Sequence, residues 1–169
     1  MEKILFVCHG NICRSPMAEF LCKEAVKHLG CINKFEIASA AVSQEELGNG
    51  VYPPVRDLLN RLGIDCSEKK ARQITSKDFD HYDLIILMDS LNVEYLKALF
   101  PEYPKDKVKL LLSYINSNAD VDDPWYTRDF ERTQTEISKG IAGLLTALLT
   151  KEGFSRHKIE CSCNFGKKC

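Results

Sequence analysis

The segment Lys3 to Phe20, KILFVCHGNICRSPMAEF, constrains this chain more than any other, because it asks a buried strand to turn into a helix through one short loop. Ile4 to Val7 is a continuous apolar run rich in β-branched and aromatic residues, which predicts a strand covered on both faces. From Ser15 the signals are those of a helix start: a hydroxyl suited to the N-cap, Pro16 at the first helical position, then Met17, Leu21, Ala25 and Leu29 at helical spacing up to Gly30. The first turn of a helix carries unpaired N–H groups and a partial positive charge, so a loop placed there favours a dianion. Cys8 and Arg14 bracket five residues of that loop. Phosphate is the natural guest: the backbone of His9, Gly10, Asn11, Ile12, Cys13, Arg14 and Ser15 can form a nest of N–H groups while the Arg14 guanidinium closes it as a bidentate fork. Gly10 permits a backbone without a Cβ clash, and Asn11 tolerates the left-handed conformation.

Cys8 is the candidate nucleophile, since N–H groups, a helix start and Arg14 together favour its thiolate. A lone cysteine reads equally as a small core residue; Arg14, Ser15 and the strand–loop–helix setting turn the reading toward chemistry.

Further along, Phe35 to Ala41 predicts a second strand with Ser39 near its end, and Leu84 to Met88 a third with Asp89 at the edge where open α/β sheets place ligands. Val108 to Leu112 predicts a fourth. Helical patterns lie between them: Val55, Leu58, Leu59 and Leu62; a short run from a Ser76 cap; and Val93, Leu96 and Leu99/Phe100. A last helix spans about Phe130 to Leu149. Strands alternating with helices predict a single α/β domain, a four-stranded parallel sheet with helices on both faces. A length of 169 residues with 44% hydrophobic residues fits one such core.

Between the fourth strand and the last helix lies DVDDPWYTRDF. An aryl or alkyl ester oxygen leaves fastest when protonated, and a carboxyl group here can supply the proton. Asp122 or Asp123 can equally cap the next helix or open a turn at Pro124. Trp125 and Tyr126 offer either a stacking wall or buried core.

A formal net charge of −1 gives no broad basic surface, so nucleic acid is excluded as a partner. No signal-peptide pattern precedes the first strand, and the longest late apolar run, Ile141 to Leu149, is too short to span a bilayer. No membrane partner and a cytoplasmic location are therefore expected. Eight cysteines without scaffold-like spacing agree with a reducing compartment. From about residue 152 the chain turns basic and cysteine-rich, and 152–169 reads as a flexible tail. His157, Cys161, Cys163 and Cys169 are zinc-ligand types, but their spacing fits no closed site.

The pieces VCHGNICRSP, SAAVS at Ser39 to Ser43, ARQIT at Ala71 to Thr75, MDSLN at Met88 to Asn92 and DDPWY at Asp122 to Tyr126 resemble the low-molecular-weight protein tyrosine phosphatase family over residues 1–151. The resemblance implies a Rossmann-like phosphatase fold and a monomer. It also implies hydrolysis of phosphotyrosine in protein substrates through a phosphocysteine intermediate, with inorganic phosphate as product and neither cofactor nor metal. Cys8, Arg14 and Asp123 become the catalytic set, Asp123 being chosen because the family's acid precedes proline. Ser15 would hydrogen-bond the Cys8 sulfur, Ser39 would help hold Asn11, Asp89 would support the network, and Cys13 would be the redox partner of Cys8. Trp125 and Tyr126 would form the substrate-cleft rim. Two departures stand out. Glu45 takes the place of a cleft-wall aromatic, expected opposite Trp125 and Tyr126, and Lys69 takes the place of a histidine, which suggests a Lys69–Asp89 ion pair or loss of that link. Other readings on the same fold are an arsenate reductase, which lacks its usual nearby cysteine pair here, and a phosphoarginine phosphatase, which the resemblance associates with a smaller polar residue at Ile12. A non-catalytic phosphate-binding module is the reading from another class.

Overall fold

The first strand, β1 (Glu2–Cys8), lies inside the sheet. It pairs in parallel with β2 (Phe35–Ala41) on one side and β3 (Leu84–Leu87) on the other, and β4 (Val108–Leu110) completes the order β2-β1-β3-β4. The computed structural model describes residues 1–169. Parallel neighbours cannot be joined by hairpins, so each connection carries helix. α1 (Arg14–His28) links β1 to β2, α2 (Pro53–Arg61) and α3 (Ser76–His81) link β2 to β3, and α4 (Ser90–Leu99) links β3 to β4. α5 (Pro124–Thr127), α6 (Phe130–Leu149) and α7 (Arg156–Ser162) complete the chain.

Alternation along β1 assigns the two faces. Ile4 and Phe6 share a core with Met17 and Leu21 of α1, Leu59 of α2 and Ile141 and Leu144 of α6. Leu5 and Val7 point the other way, into a smaller core with Ile85 and Leu87 of β3 and Leu96 of α4. Burial on both faces is the physical reason the Ile4–Val7 run is unbroken by polar residues.

The fourth strand is shorter than expected, because Leu111 and Leu112 leave it to wind into a 3-10 turn, Leu111–Ile115, that buries both under α6. The contact is close. A Cβ at Gly140 would sit 2.5 Å from Leu111 Cγ, and one at Gly143 would sit 2.6 Å from the Tyr114 carbonyl oxygen. The two helix-interior glycines are therefore the condition for this packing.

The C-terminal segment is not the flexible tail that its composition suggests. Ser155 caps α7 by accepting from the Lys158 N–H, Ile159 and Cys163 are buried, and Phe154 and Phe165 lie against the main core. Ile159 and Cys163 form a two-residue i, i+4 stripe, too short to register as a period in sequence. Lys34 pairs with Glu152 at the root of the segment, and Cys161 and Cys169 are joined by a disulfide. No group of three or more His, Cys, Asp or Glu side chains is arranged to hold a metal ion. No helix is long and apolar enough to cross a membrane.

The Gly143 contact yields a prediction against helix propensity. Gly143→Ala gains at most about 1 kcal/mol of intrinsic helix preference, but its Cβ meets a backbone carbonyl that cannot swing aside, and such overpacking costs about 1–3 kcal/mol. The variant should unfold at lower urea concentration than wild type; an unchanged or raised midpoint refutes the close-packing account.

Candidate active site

Cys8 is the last residue of β1, and α1 begins six residues later at Arg14, two residues earlier than the sequence signals suggest. Cys13 occupies the N-cap without a side-chain bond, and Pro16 sits in the first turn rather than at its first position. The Ser15 hydroxyl is not a cap because it is used inward: it lies 3.0 Å from Cys8 Sγ, accepts from Asn11 Nδ2 at 2.8 Å and reaches the Ala40 carbonyl at 3.3 Å. The Asn11 N–H also points at Cys8 Sγ, at 3.3 Å. When Cys8 is a thiolate, which can only accept, both groups donate to it.

The left-handed residue of the loop is Asn11, with φ 59°, and not Gly10. Its amide is fully engaged: Nδ2 donates to Ser15 Oγ and, at 2.9 Å, to Ser39 Oγ, while Oδ1 accepts the Arg72 backbone N–H at 3.2 Å. Ser39 donates onward to Glu19 Oε2 at 2.5 Å. Glu19 is held by Lys23 at 2.6 Å and by Lys69 at 3.3 Å, and Lys69 also donates to the Ser39 carbonyl at 2.9 Å. The expected Lys69–Asp89 pair is therefore absent, because Lys69 is drawn to the buried Glu19 carboxylate. Burial pulls the Lys69 ammonium below its usual range and Glu19 opposes that pull. The third support, Arg72, is held by a bidentate pair to Asp78 at 2.9 Å on both nitrogens. Asp78 closes a capping box with Thr75, which replaces Ser76 as the cap of α3.

Arg14 is 2% exposed. Its Nη1 donates to Asp89 Oδ2 at 2.5 Å and to the Val121 carbonyl at 2.8 Å, and its Nη2 to Asp123 Oδ2 at 3.2 Å. Burial alone would lower the guanidinium's proton affinity, but Cys8, Asp123 and Asp89 outweigh it and hold the group above its ordinary value. Each carboxylate uses its second oxygen as a helix cap, Asp89 Oδ1 accepting from Asn92 N at 2.7 Å and Asp123 Oδ1 from Trp125 N at 3.0 Å. For Asp123 the cap and the site contact are the same residue's two oxygens. Asp122 turns away to Arg132, at 2.9 Å.

Around the loop, Trp125 is half-exposed and Tyr126 is 82% exposed, so neither is a core residue. Glu45 does not sit against them; its carboxylate meets His9 Nε2 at 3.0 Å, and the His9 ring stands edge-on to Tyr95 at 5.1 Å. The ring beside Trp125 is Tyr52, at 5.1 Å between centroids, and the Tyr52 backbone N–H donates to the Ile12 carbonyl at 2.9 Å. Ile12 and Cys13 are buried, and burial pushes the Cys13 thiol far above its usual range. Sequence reasoning missed Glu19, Tyr52, Arg72, Asp78 and the Val121 carbonyl. Only Glu19 left a signal: it lies four residues after Ser15, on the same face of α1 as that residue and Cys22.

Residues 3–154 match the family described as low molecular weight phosphotyrosine protein phosphatase. The low molecular weight protein-tyrosine-phosphatase YfkJ of Bacillus subtilis is 36% identical over 150 residues, 88% of this chain and 96% of that protein. Its crystal structure superimposes with a TM-score of 0.83, covering 91% of this chain and 98% of that one. The Streptococcus pyogenes enzyme SP-PTP gives 0.81 at 40% identity over 90% of this chain and 97% of that chain. The drosophila arginine phosphatase gives 0.76 at 28% identity, covering 88% of this chain and 98% of that one.

The Asp78 support predicts a pH dependence. Burial would raise the Asp78 carboxyl, but the Arg72 fork and the Thr75 N–H outweigh it and hold it below the ordinary value, about 3.9 for aspartate. A depressed folded value contributes stability above the unfolded pKa that is lost as pH falls through the folded one. Asp78→Asn should therefore cost about 2 kcal/mol at neutral pH, and its gap to wild type should close as pH falls from the unfolded aspartate value through the lower folded one. A gap independent of pH in acid unfolding experiments contradicts the charge-based account.

Proposed function

The chain belongs to the low molecular weight phosphotyrosine protein phosphatase family and is a protein tyrosine phosphatase, and from this we propose that Cys8 is the nucleophile, Arg14 the phosphate clamp and Asp123 the general acid. The observation that carries the assignment is the convergence of Ser15 Oγ and Asn11 N on Cys8 Sγ at 3.0 and 3.3 Å, at a strand end that opens into a helix start. Donors fixed before the reaction stabilise the thiolate without reorganisation.

A phosphotyrosine dianion fills the loop from Cys8 to Arg14 and takes the place of the Asp123 oxygen at Arg14 Nη2, while Asp89 and the Val121 carbonyl keep Nη1 in position. The Cys8 thiolate attacks phosphorus in line, the bond to the phenolic oxygen breaks, and the Asp123 proton passes to that oxygen as tyrosine leaves. A water next attacks the phosphocysteine; Asp123 accepts its proton, the S–P bond breaks and inorganic phosphate departs. Ser15 donates to the sulfur in both its thiolate states.

Trp125 and Tyr126 supply the aromatic wall for the phenyl ring, with the His9–Glu45 pair as a polar element of the rim. Ile12 supports tyrosine rather than arginine chemistry at the loop. The catalytic domain is read as residues 1–151, with 152–169 an addition docked on it. All the assigned groups come from one chain, so a monomer suffices for the chemistry, and six of the eight cysteines present as free thiols favour a cytoplasmic setting despite the Cys161–Cys169 disulfide. Cys13 is the partner that traps oxidised Cys8: a sulfenic acid on Cys8 condenses with the Cys13 thiol, forming a disulfide and releasing water.

Cys8→Ser should bind inorganic phosphate and lose turnover of any aryl phosphate, while Asp123→Ala should lower kcat/KM on phenyl phosphate by about 10²–10⁴ and spare kcat/KM on dinitrophenyl phosphate, whose leaving group needs no proton in the step that forms the phosphocysteine. Near wild-type turnover by Cys8→Ser, or equal losses on both esters for Asp123→Ala, removes the respective role. After peroxide and then a thiol reductant, wild type should recover activity and Cys13→Ser should not; matched recovery sinks the trapping role.

A further inference from the structure

α5, which carries Asp123 at its N-cap, is a single turn of four residues. So short a helix has almost no stability of its own, and the position of Asp123 depends on what holds that turn from outside. At its other end stands Arg128, a non-glycine residue with φ 59°. Left-handed backbone is uncommon for a long side chain and is kept where surrounding contacts over-determine it.

Those contacts converge on one ring. Arg128 Nη1 and Nη2 both donate to Tyr52 Oη, at 3.1 and 3.2 Å. The guanidinium carbon lies 5.6 Å from the Tyr52 ring centre and 5.5 Å from that of Phe130, the first residue of α6. Tyr52 touches the start of the same turn through Trp125, at 5.1 Å, and Phe130 through a tilted contact at 6.0 Å. Its backbone is fixed to the phosphate loop through the N–H to Ile12 carbonyl bond of 2.9 Å, and Pro53 and Pro54 stiffen the first turn of α2 directly after it. One residue thus grips both ends of the acid-bearing turn and the loop that holds the phosphate.

We infer that Arg128 is a positioning residue which, through the Tyr52 hydroxyl, fixes the acid-bearing turn 124–128 against the phosphate loop and so sets the reach of Asp123 to the leaving oxygen. The inference rests on Asp123 being the general acid. In this role Arg128 acts through Tyr52, to which each of its terminal nitrogens donates one N–H. Its effect must appear in proton delivery and not in phosphate binding, which belongs to residues 8–15.

The test compares wild type, Arg128→Gly, Tyr52→Phe, the double variant and Asp123→Ala on phenyl phosphate and dinitrophenyl phosphate. Glycine adopts φ 59° without strain, and phenylalanine keeps the Tyr52 ring, so both should fold, as a thermal unfolding scan will verify. Each single variant should lose about tenfold in kcat/KM on phenyl phosphate, part of the roughly hundredfold that a 1 Å misplacement can cost, the comparison between esters being read in kcat/KM because hydrolysis of the phosphocysteine is common to both. On dinitrophenyl phosphate both should stay within about twofold of wild type, and inhibition by inorganic phosphate should be unchanged. The double variant should be no slower than the slower single one, since both substitutions cut the same link. Equal losses on the two esters, no loss on either, or additive losses overturn the positioning role. If Asp123→Ala discriminates between the esters and Arg128→Gly does not, the acid assignment stands and this inference alone falls; if Asp123→Ala does not discriminate, both fall.

Discussion

The site depends on a left-handed turn at Asn11, and that turn is held by three hydrogen bonds to one amide side chain. They come from three directions: Ser15 on α1, Ser39 on β2, and the Arg72 N–H on the segment bridged to Ala41. Asn11 thus reports, in its own geometry, that helix, strand and bridge are all in place. Behind Ser39 stands Glu19 between Lys23 and Lys69, a mostly buried charge cluster of the kind whose desolvation cost tends to cancel its Coulomb gain. Its value here is orientation. No buried side-chain nitrogen or oxygen in the protein lacks a partner, so the polar network around the loop is closed and has little freedom to rearrange.

Arg14 is fixed by a second economy, in which the groups that start helices also build the site. Asp89 caps α4 with one oxygen and holds Arg14 with the other, and Asp123 does the same for α5. The two are not equivalent. Asp89 is closer to the guanidinium, at 2.5 Å against 3.2 Å, and less exposed. The tighter carboxylate suits a permanent brace, and the looser one, on a one-turn helix, suits the acid role proposed for Asp123.

Much of this was legible in the chain itself, for reasons that can be named. The strand Phe35–Ala41 and the helix Phe130–Leu149 have the spans their patterns predict, because both are long and carry their own periodicity. Cys8, Arg14, Ser15, Asn11, Ser39 and Asp123 are brought together because their loop is local in sequence or lies at adjoining strand ends. What was not legible is pairing across distance between residues of ordinary type. Lys69 goes to Glu19 and not to Asp89, Glu45 goes to His9, and Tyr52 reaches Arg128 over 76 positions. The end of the fourth strand is hidden from local pattern because glycines 140 and 143, far downstream, decide that Leu111 and Leu112 leave the sheet. The docked α7 is hidden by its brevity.

The interior position of β1 has a consequence for how the protein is made. Cys8 precedes its partners in the chain: its strand pairs with residues 35–41 and 84–87, and Arg14 is held by residues 89, 121 and 123. At roughly 5–20 residues per second the thiol waits many seconds for those partners to be synthesised. During that interval Ser15 and the Asn11 N–H have no fixed direction toward the sulfur, because Ser39 and Arg72 have not yet fastened Asn11. The growing polypeptide therefore carries the thiol without its surroundings, which are complete only once residues 121–123 have been synthesised and folded against Arg14.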